Sequence, residues 1–274
     1  MPPAQPSPAA SPPAAPAPPR RQIRLGHLWI DALDFQGALD AIEALVDRGQ
    51  GGSVFTPNVD HVVSAEDDAG LRAAYADVSL SLADGQPVVW ASRLLGTPLP
   101  AKVSGSDLVW PLMARAARRG WGVYLLGGAP GAAEVAGARL VRELGVRIVG
   151  VDAARIPLEA VPGAVDAALE RVRAARPDLV LVALGSPKQE RWIHRSLAAL
   201  RPAVALGVGA SLDFLAGQVR RSPAWMSRAG LEWLYRLGQE PRRMAHRYLV
   251  KDPRFLAVLA RTARAPAATR TRAR

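Results

Sequence analysis

A chain of 274 residues, 49% of them hydrophobic, is long enough to bury a sizeable core and too apolar to be disordered throughout. It has no cysteine, which excludes disulfides and thiolate metal sites, and its four histidines stand singly rather than in HxH or HxxxH pairs. The net charge is +11, and all of the excess falls in residues 218–274, where 14 basic face 3 acidic side chains; residues 1–217 carry 21 of each.

The first 21 residues are proline and alanine, with arginines at the wrong end for a signal peptide, and are expected to form a disordered, polyproline-biased leader. RLGHLWIDAL then reads as a strand running into a turn, and DFQGALDAIEALVDRG as an amphipathic helix. GSVFTPNVDHVVSAEDD has the form strand, loop, helix start. A helix end, a short strand SLSLA, an Asp-Gly turn and another helix follow through LRAAYADVSLSLADGQPVVWASRLLG. SGSDLVWPLMARAARRG is a helix for which Ser104 or Ser106 is the candidate N-cap.

From WGVYLLGGAPG onward, strands and helices alternate through VRIVGVD, AVDAALERVRAARP, PDLVLVALGSPKQERWIHRSLAAL and AVALGVGASLDFLAG. Several strands are continuous apolar runs, which predicts a mostly parallel Rossmann-like α/β sheet with helices on both faces over residues 22–217. Residues 218–265 contain no convincing strand and interleave Trp225, Trp233, Tyr235 and Tyr248 with arginines, so a basic helical appendage is expected there. A disordered tail is expected at 266–274. No run of about 20 uncharged apolar residues occurs, so no membrane-spanning helix is expected.

Ligands of open α/β sheets bind beyond the carboxyl ends of the strands, which nominates five loops. At Thr56-Pro57-Asn58 both polar side chains can bind phosphate or sugar, and loop capping explains them equally well. Asp84 is one half of an Asp-Gly turn that needs no further reason. Its place after an apolar strand also suits a general base that takes a proton from an attacking hydroxyl. Gly185 to Glu190 opens a helix whose free N–H groups, with Lys188 and Gln189, suit an anion; a plain helix start with proline in its first turn is as economical. Gly207 to Gly217 contains Asp213. The turn at 127–131 lacks the full GxGxxG spacing, leaving a tight packing turn ahead of a dinucleotide site. The aromatic and basic appendage suits a membrane interface, and nucleic acid predicts the same charge.

Taken in order, TPNVDHVVSA, LADGQPVVW, SGSDLVWPL, YLLGG, GSPKQERWI, GVGASLDFLAG and SPAWMSRAGLEWLYRLGQEPRRMAHRYL resemble the WecG/TagA/CpsF glycosyltransferase family over about residues 25–250. The resemblance implies an inverting, UDP-sugar-dependent hexosyltransferase acting on a polyprenyl-diphosphate-linked glycan. Its product would enter teichoic-acid, exopolysaccharide or other cell-envelope polysaccharide synthesis. It implies Asp84 as catalytic base, and Thr56, Asn58, Gln189 and Asp213 as substrate-binding residues. Arg236 and Arg243 would come from the appendage to neutralise a diphosphate. Where members carry a second arginine, this chain has His246 followed by Arg247, which becomes the substitute. No DxD-type motif is evident, so no metal or cofactor is expected. The implied partners are the two substrates and a membrane surface on the cytoplasmic side, not nucleic acid, with a homo-oligomer left open. A nicotinamide-dependent oxidoreductase and a basic nucleic-acid binder are the rival readings.

Overall fold

The computed structural model describes residues 20–153, 156, 166–219, 222–223, 226, 232–239 and 251–274. Its centre is a six-stranded parallel sheet in the order β4-β3-β8-β7-β5-β6, formed by β3 (Gly52–Phe55), β4 (Leu80–Ser81), β5 (Gly122–Gly127), β6 (Arg147–Asp152), β7 (Leu179–Ala183) and β8 (Val204–Gly207). Successive strand residues point to opposite faces, and each face buries its own core. Phe55, Tyr124, Leu126, Val180, Val182 and Ala205 pack on one side with residues of α2 (Val59–Asp67), α3 (Ala69–Asp77), α7 (Ala167–Ala175) and α8 (Lys188–Leu200). Val54, Val123, Leu125, Leu179, Leu181, Val204 and Leu206 pack on the other with α1 (Phe35–Asp47), α5 (Gly105–Arg119), α6 (Ala132–Leu144) and α9 (Ser211–Leu215). The continuous apolar runs of the sequence are these doubly covered strands.

Local chemistry accounts for the element ends that shape the upper rim of the sheet. Asp34 caps α1 by accepting from the Gly37 N–H at 2.7 Å, and Asn58 caps α2 by accepting from the N–H groups of Asp60 and His61. The predicted cap Ser104 does precede α5, but its hydroxyl donates to Asp107 Oδ2 at 2.6 Å rather than capping a backbone N–H. Gly85, at φ +91°, turns the chain from β4 into α4 (Gln86–Leu94), a backbone setting that favours glycine.

Two features at the chain ends differ from the sequence-based expectation. RLGHLWID is a hairpin, β1 (Arg21–Leu25) and β2 (Leu28–Asp31), turned at Gly26-His27, rather than one strand. The segment expected as a disordered tail at 266–274 instead carries β9 (Thr271–Ala273), which pairs antiparallel with β1 to complete a three-stranded sheet β2-β1-β9. Backbone pairing supplies the reason: Arg20 and Arg274 exchange hydrogen bonds at 2.9 Å, and the Arg272 guanidinium lies over the Trp29 ring at 4.2 Å. In the appendage range, α10 (Glu232–Gln239) is described, while α11 (Arg254–Arg264) packs on α2 and β1. Residues 1–19, most of the expected leader, lie outside the described residues.

The small sheet is tied to the edge of the large one by a buried carboxylate. Asp31 accepts from the Ser81 N–H on β4 at 2.8 Å and from Gln22 Nε2 at 3.1 Å, and Arg20 lies 3.6 Å away. An edge-strand N–H that would otherwise be buried unpaired is thereby satisfied.

Candidate active site

Because all six strands run the same way, the loops leaving β3, β4, β7 and β8 meet at one rim. They enclose a cleft of about 360 Å³ lined by Thr56, Asn58, Asp60, His61, Asp84, Gly105, Ser106, Gly185, Ser186, Gln189, residues 208–211, Phe214 and Lys251. Four helices of nine residues or more, α2, α4, α5 and α8, begin at this rim. Their positive dipole ends therefore converge on the cleft, a setting that favours an anionic ligand.

Four of the residues singled out in the sequence come together here: Thr56, Asn58, Asp84 and Gln189. Thr56 leaves β3 against the start of α5, where a methyl group on Gly105 would lie 3.3 Å from its Oγ1. Asp84 leaves β4, and its N–H donates to the Pro57 carbonyl at 2.9 Å, which ties the two loops together. Gln189 lies in the first turn of α8, almost fully buried. Its Oε1 accepts from the Gly209 N–H at 3.0 Å, and its Nε2 donates to Glu190 Oε1 at 2.7 Å.

Asp213 is placed differently. It stands on α9 outside the cleft lining, and its Oδ1 accepts from the Ala129 N–H at 2.8 Å. It therefore braces the 127–131 turn. The Gly128 N–H is likewise taken, by the Ala183 carbonyl at 2.8 Å, and a methyl group on Gly127 would lie 2.7 Å from that same oxygen. With these two amides committed inside the fold and glycine required for close packing, the segment is accounted for as a tight packing turn. Arg236 lies on α10. Arg243, Arg247 and His246 lie outside the described residues.

Three residues at or beneath the cleft were given no role of their own by the sequence. Lys251, just before α11, forms an ion pair with Asp60 Oδ1 at 2.6 Å, so the C-terminal segment contributes a cation to the rim. His61 and Glu190 form a buried pair, Nε2 to Oε1 at 3.3 Å, beneath the floor. Burial pushes the Glu190 carboxyl up, but the hydrogen bond and charge of His61 and the Gln189 bond outweigh it and hold the group below the usual range. Burial pushes the Tyr75 phenol well above its ordinary value, reinforced by the nearby charges of Glu190 and Asp84, so it stays protonated. In the sequence, the adjacent Gln189-Glu190 and the histidine three residues after a capping asparagine were the only traces, and neither indicated a pairing. Among the described residues no three His, Asp or Glu side chains gather as a metal site.

Residues 23–269 match the model of the Glycosyl transferase WecG/TagA/CpsF family. The chain is also similar to the N-acetylglucosaminyldiphosphoundecaprenol N-acetyl-beta-D-mannosaminyltransferase of Bacillus spizizenii, with 30% identity over 223 residues, covering 81% of this chain and 84% of that protein.

Proposed function

The chain belongs to the WecG/TagA/CpsF glycosyltransferase family, and from that premise we propose that it transfers a hexose or N-acetylhexosamine from a UDP-sugar to a polyprenyl-diphosphate-linked sugar. N-acetylmannosamine is the foremost donor sugar and an undecaprenyl-diphosphate-linked N-acetylglucosamine the foremost acceptor, because those are the groups in the relative's name. The product belongs to teichoic-acid or other cell-envelope polysaccharide synthesis.

The observation that carries this reading is the cleft itself. A carboxylate, Asp84, shares one rim with amide donors and with the N-termini of four helices. Asp84 accepts the proton of an acceptor hydroxyl as that oxygen attacks the anomeric carbon opposite the diphosphate. The bond from that carbon to UDP breaks with inversion, and negative charge grows on the departing diphosphate. Helix N-termini already aimed at the cleft stabilise that charge without reorganising. Asn58 and Gln189 orient the substrates, Asp213 supports the adjoining turn, and Arg236, Arg243, Arg247 and Lys251 supply cations from the C-terminal segment.

Association with the cytoplasmic face of a membrane follows from the acceptor and from the charge of residues 218–274. Trp233 and Leu234 on α10 are about half exposed, as residues meeting a lipid interface would be. No helix among the described residues is long and apolar enough to cross a bilayer.

The test is UDP release across a panel of UDP-hexoses and UDP-N-acetylhexosamines, with and without a short-chain polyprenyl-diphosphate-GlcNAc. Acceptor-dependent release with one donor is expected. Asp84→Asn should lower kcat by about 10²- to 10⁴-fold while leaving UDP binding in place. Near-normal turnover by a folded Asp84→Asn protein would refute the base assignment.

A further inference from the structure

One side of α4 is buried and the other is bare. Val88, Ala91 and the capping Leu95 pack into the core shared with α2, α3, α7 and α8, and Val89 and Ser92 are buried as well. The stripe that remains carries Trp90, Arg93 and Leu94, neighbours at i, i+3 and i+4. Trp90 is 45% exposed and Leu94 79%. Single exposed apolar residues are ordinary on a protein surface. Among the described residues, these are the only two large ones that stand one turn apart on a helix.

The charge around this stripe has one sign. From Gly85 to Ser106 the chain carries Arg93 and Lys102 and no carboxylate. Two further guanidiniums arrive from the small sheet and the segment leading to it. Arg270 donates to the Leu95 carbonyl at 2.7 Å, at the negative end of the α4 dipole, and Arg21 donates to the Pro98 carbonyl at 2.5 Å. Arg93 thus lies within the stripe, and Arg21 and Arg270 lie at its far end.

A tryptophan and a leucine edged by arginines, with no carboxylate in the segment, have the makeup of a surface that rests on an anionic bilayer. The ring and the leucine enter the head-group layer, and the guanidiniums meet lipid phosphates. A second copy of the chain is a poorer occupant, because a two-fold contact would set these arginines against their own copies. Position favours the bilayer too. α4 begins two residues after Asp84, and Trp90 stands four residues, about 6 Å of rise, into it. An acceptor hydroxyl has to reach Asp84 while the lipid end of the acceptor stays in the membrane, so the surface beside Asp84 has to approach the bilayer.

We propose that Trp90, Arg93 and Leu94 of α4 form a membrane contact, with Arg21 and Arg270 on the head groups, that turns the Asp84 side of the cleft toward the bilayer holding the acceptor. This contact is separate from Trp233 and Leu234 on α10. The lipid-linked acceptor rests on the function proposed above; the chemistry of the stripe does not.

The chain has no cysteine, so a single label can be placed in the full-length protein. Leu94→Cys carrying an environment-sensitive fluorophore is mixed with vesicles of phosphatidylglycerol and phosphatidylcholine in equal parts. Emission should shift to the blue and be quenched by brominated lipid. The same label at Val141→Cys, exposed on α6 across the sheet, should stay in water. Replacing both Trp90 and Leu94 by glutamine should weaken vesicle binding about tenfold or more, and Arg93→Gln about fivefold at low salt. The double variant should turn over a water-soluble short-chain acceptor at the wild-type rate and lose turnover only on acceptor embedded in vesicles. Three results would overturn the proposal: wild-type protein that does not sediment with these vesicles, a Leu94 label that stays in water on vesicles that do carry the protein, and a blue shift that grows with protein concentration in the absence of lipid, the sign of a second copy. A wild-type enzyme silent across the UDP-sugar panel would instead defeat the acceptor reading, and the Leu94 label would then judge the contact by itself.

Discussion

Replacing Thr262 by valine tests whether the C-terminal helix is part of the folded body. Thr262 is buried on α11. Its hydroxyl donates to the Val258 carbonyl at 2.8 Å, one turn earlier, and accepts from the Gly26 N–H at 3.1 Å in the β1–β2 turn. Gly26 is itself buried, at φ +61°, and a methyl group there would lie 2.7 Å from Val258 Cγ1. Valine keeps the volume and the branching of threonine, so packing and helix propensity barely change. What is lost is the acceptor, which leaves a buried backbone N–H unpaired at a cost of about 1–3 kcal/mol. For a chain of this size, 1 kcal/mol corresponds to roughly 2–4 °C, so Tm should fall by about 2–12 °C. In urea the midpoint should drop with an unchanged slope, because the surface exposed on unfolding is the same. A midpoint equal to that of wild type would refute the docking of α11 on the hairpin, and with it the ordered chain terminus.

Asp68 gives a prediction about pH. Burial raises its carboxyl, but the Arg191 hydrogen bond at 2.5 Å, the Leu71 N–H and the Arg191 charge overcome this and leave it below the usual value. A lowered folded-state value stabilises above the unfolded value of about 4 and is lost as pH falls through the folded one. Asp68→Asn should therefore be less stable than wild type at neutral pH, with the gap closing under acid; a pH-independent gap in urea titrations would contradict the reading. Gly207→Ala places a methyl group 2.9 Å from Gln189 Nε2, so UDP affinity should fall about tenfold or more with a smaller loss of stability. Calorimetry showing wild-type affinity would disconnect Gln189 from the nucleotide.

The sheet and the loops that build the cleft were legible because their signals are local. Apolar runs of four to six residues ending in glycine or a polar loop mark β5, β7 and β8. Asp34 and Asn58 are capping residues that announce α1 and α2. The Asp84-Gly85 turn reads correctly for the same reason, since glycine meets the positive φ that the turn requires. The hairpin at residues 21–31 was read as one strand because its two-residue turn, Gly26-His27, is short and the flanking segments are too brief to show separate periods. β9 had still less to show: three residues, two of them polar, whose stability comes from β1 some 250 residues earlier in the chain.

The same distinction governs the site. Thr56, Asn58, Asp84 and Gln189 each occupy the end of a strand or the start of a helix, so the rule for open sheets finds them one at a time. Asp213 satisfies that rule too, and its Oδ1 accepts from the Ala129 N–H. Position along the chain nominates a residue, and its hydrogen-bond partners show what it holds in place within the fold. His61, Glu190 and Lys251 reverse the case. Their sequence surroundings are those of ordinary helix residues, and their meaning lies in contacts spanning 129 residues for His61–Glu190 and joining Lys251 to Asp60, far apart in the chain. A cation brought to the rim from just before α11 also means that the C-terminal segment and the cleft share a boundary. Displacing α11 would therefore move Lys251 away from Asp60, and would change the charge of the cleft before any of the strand-end residues had shifted.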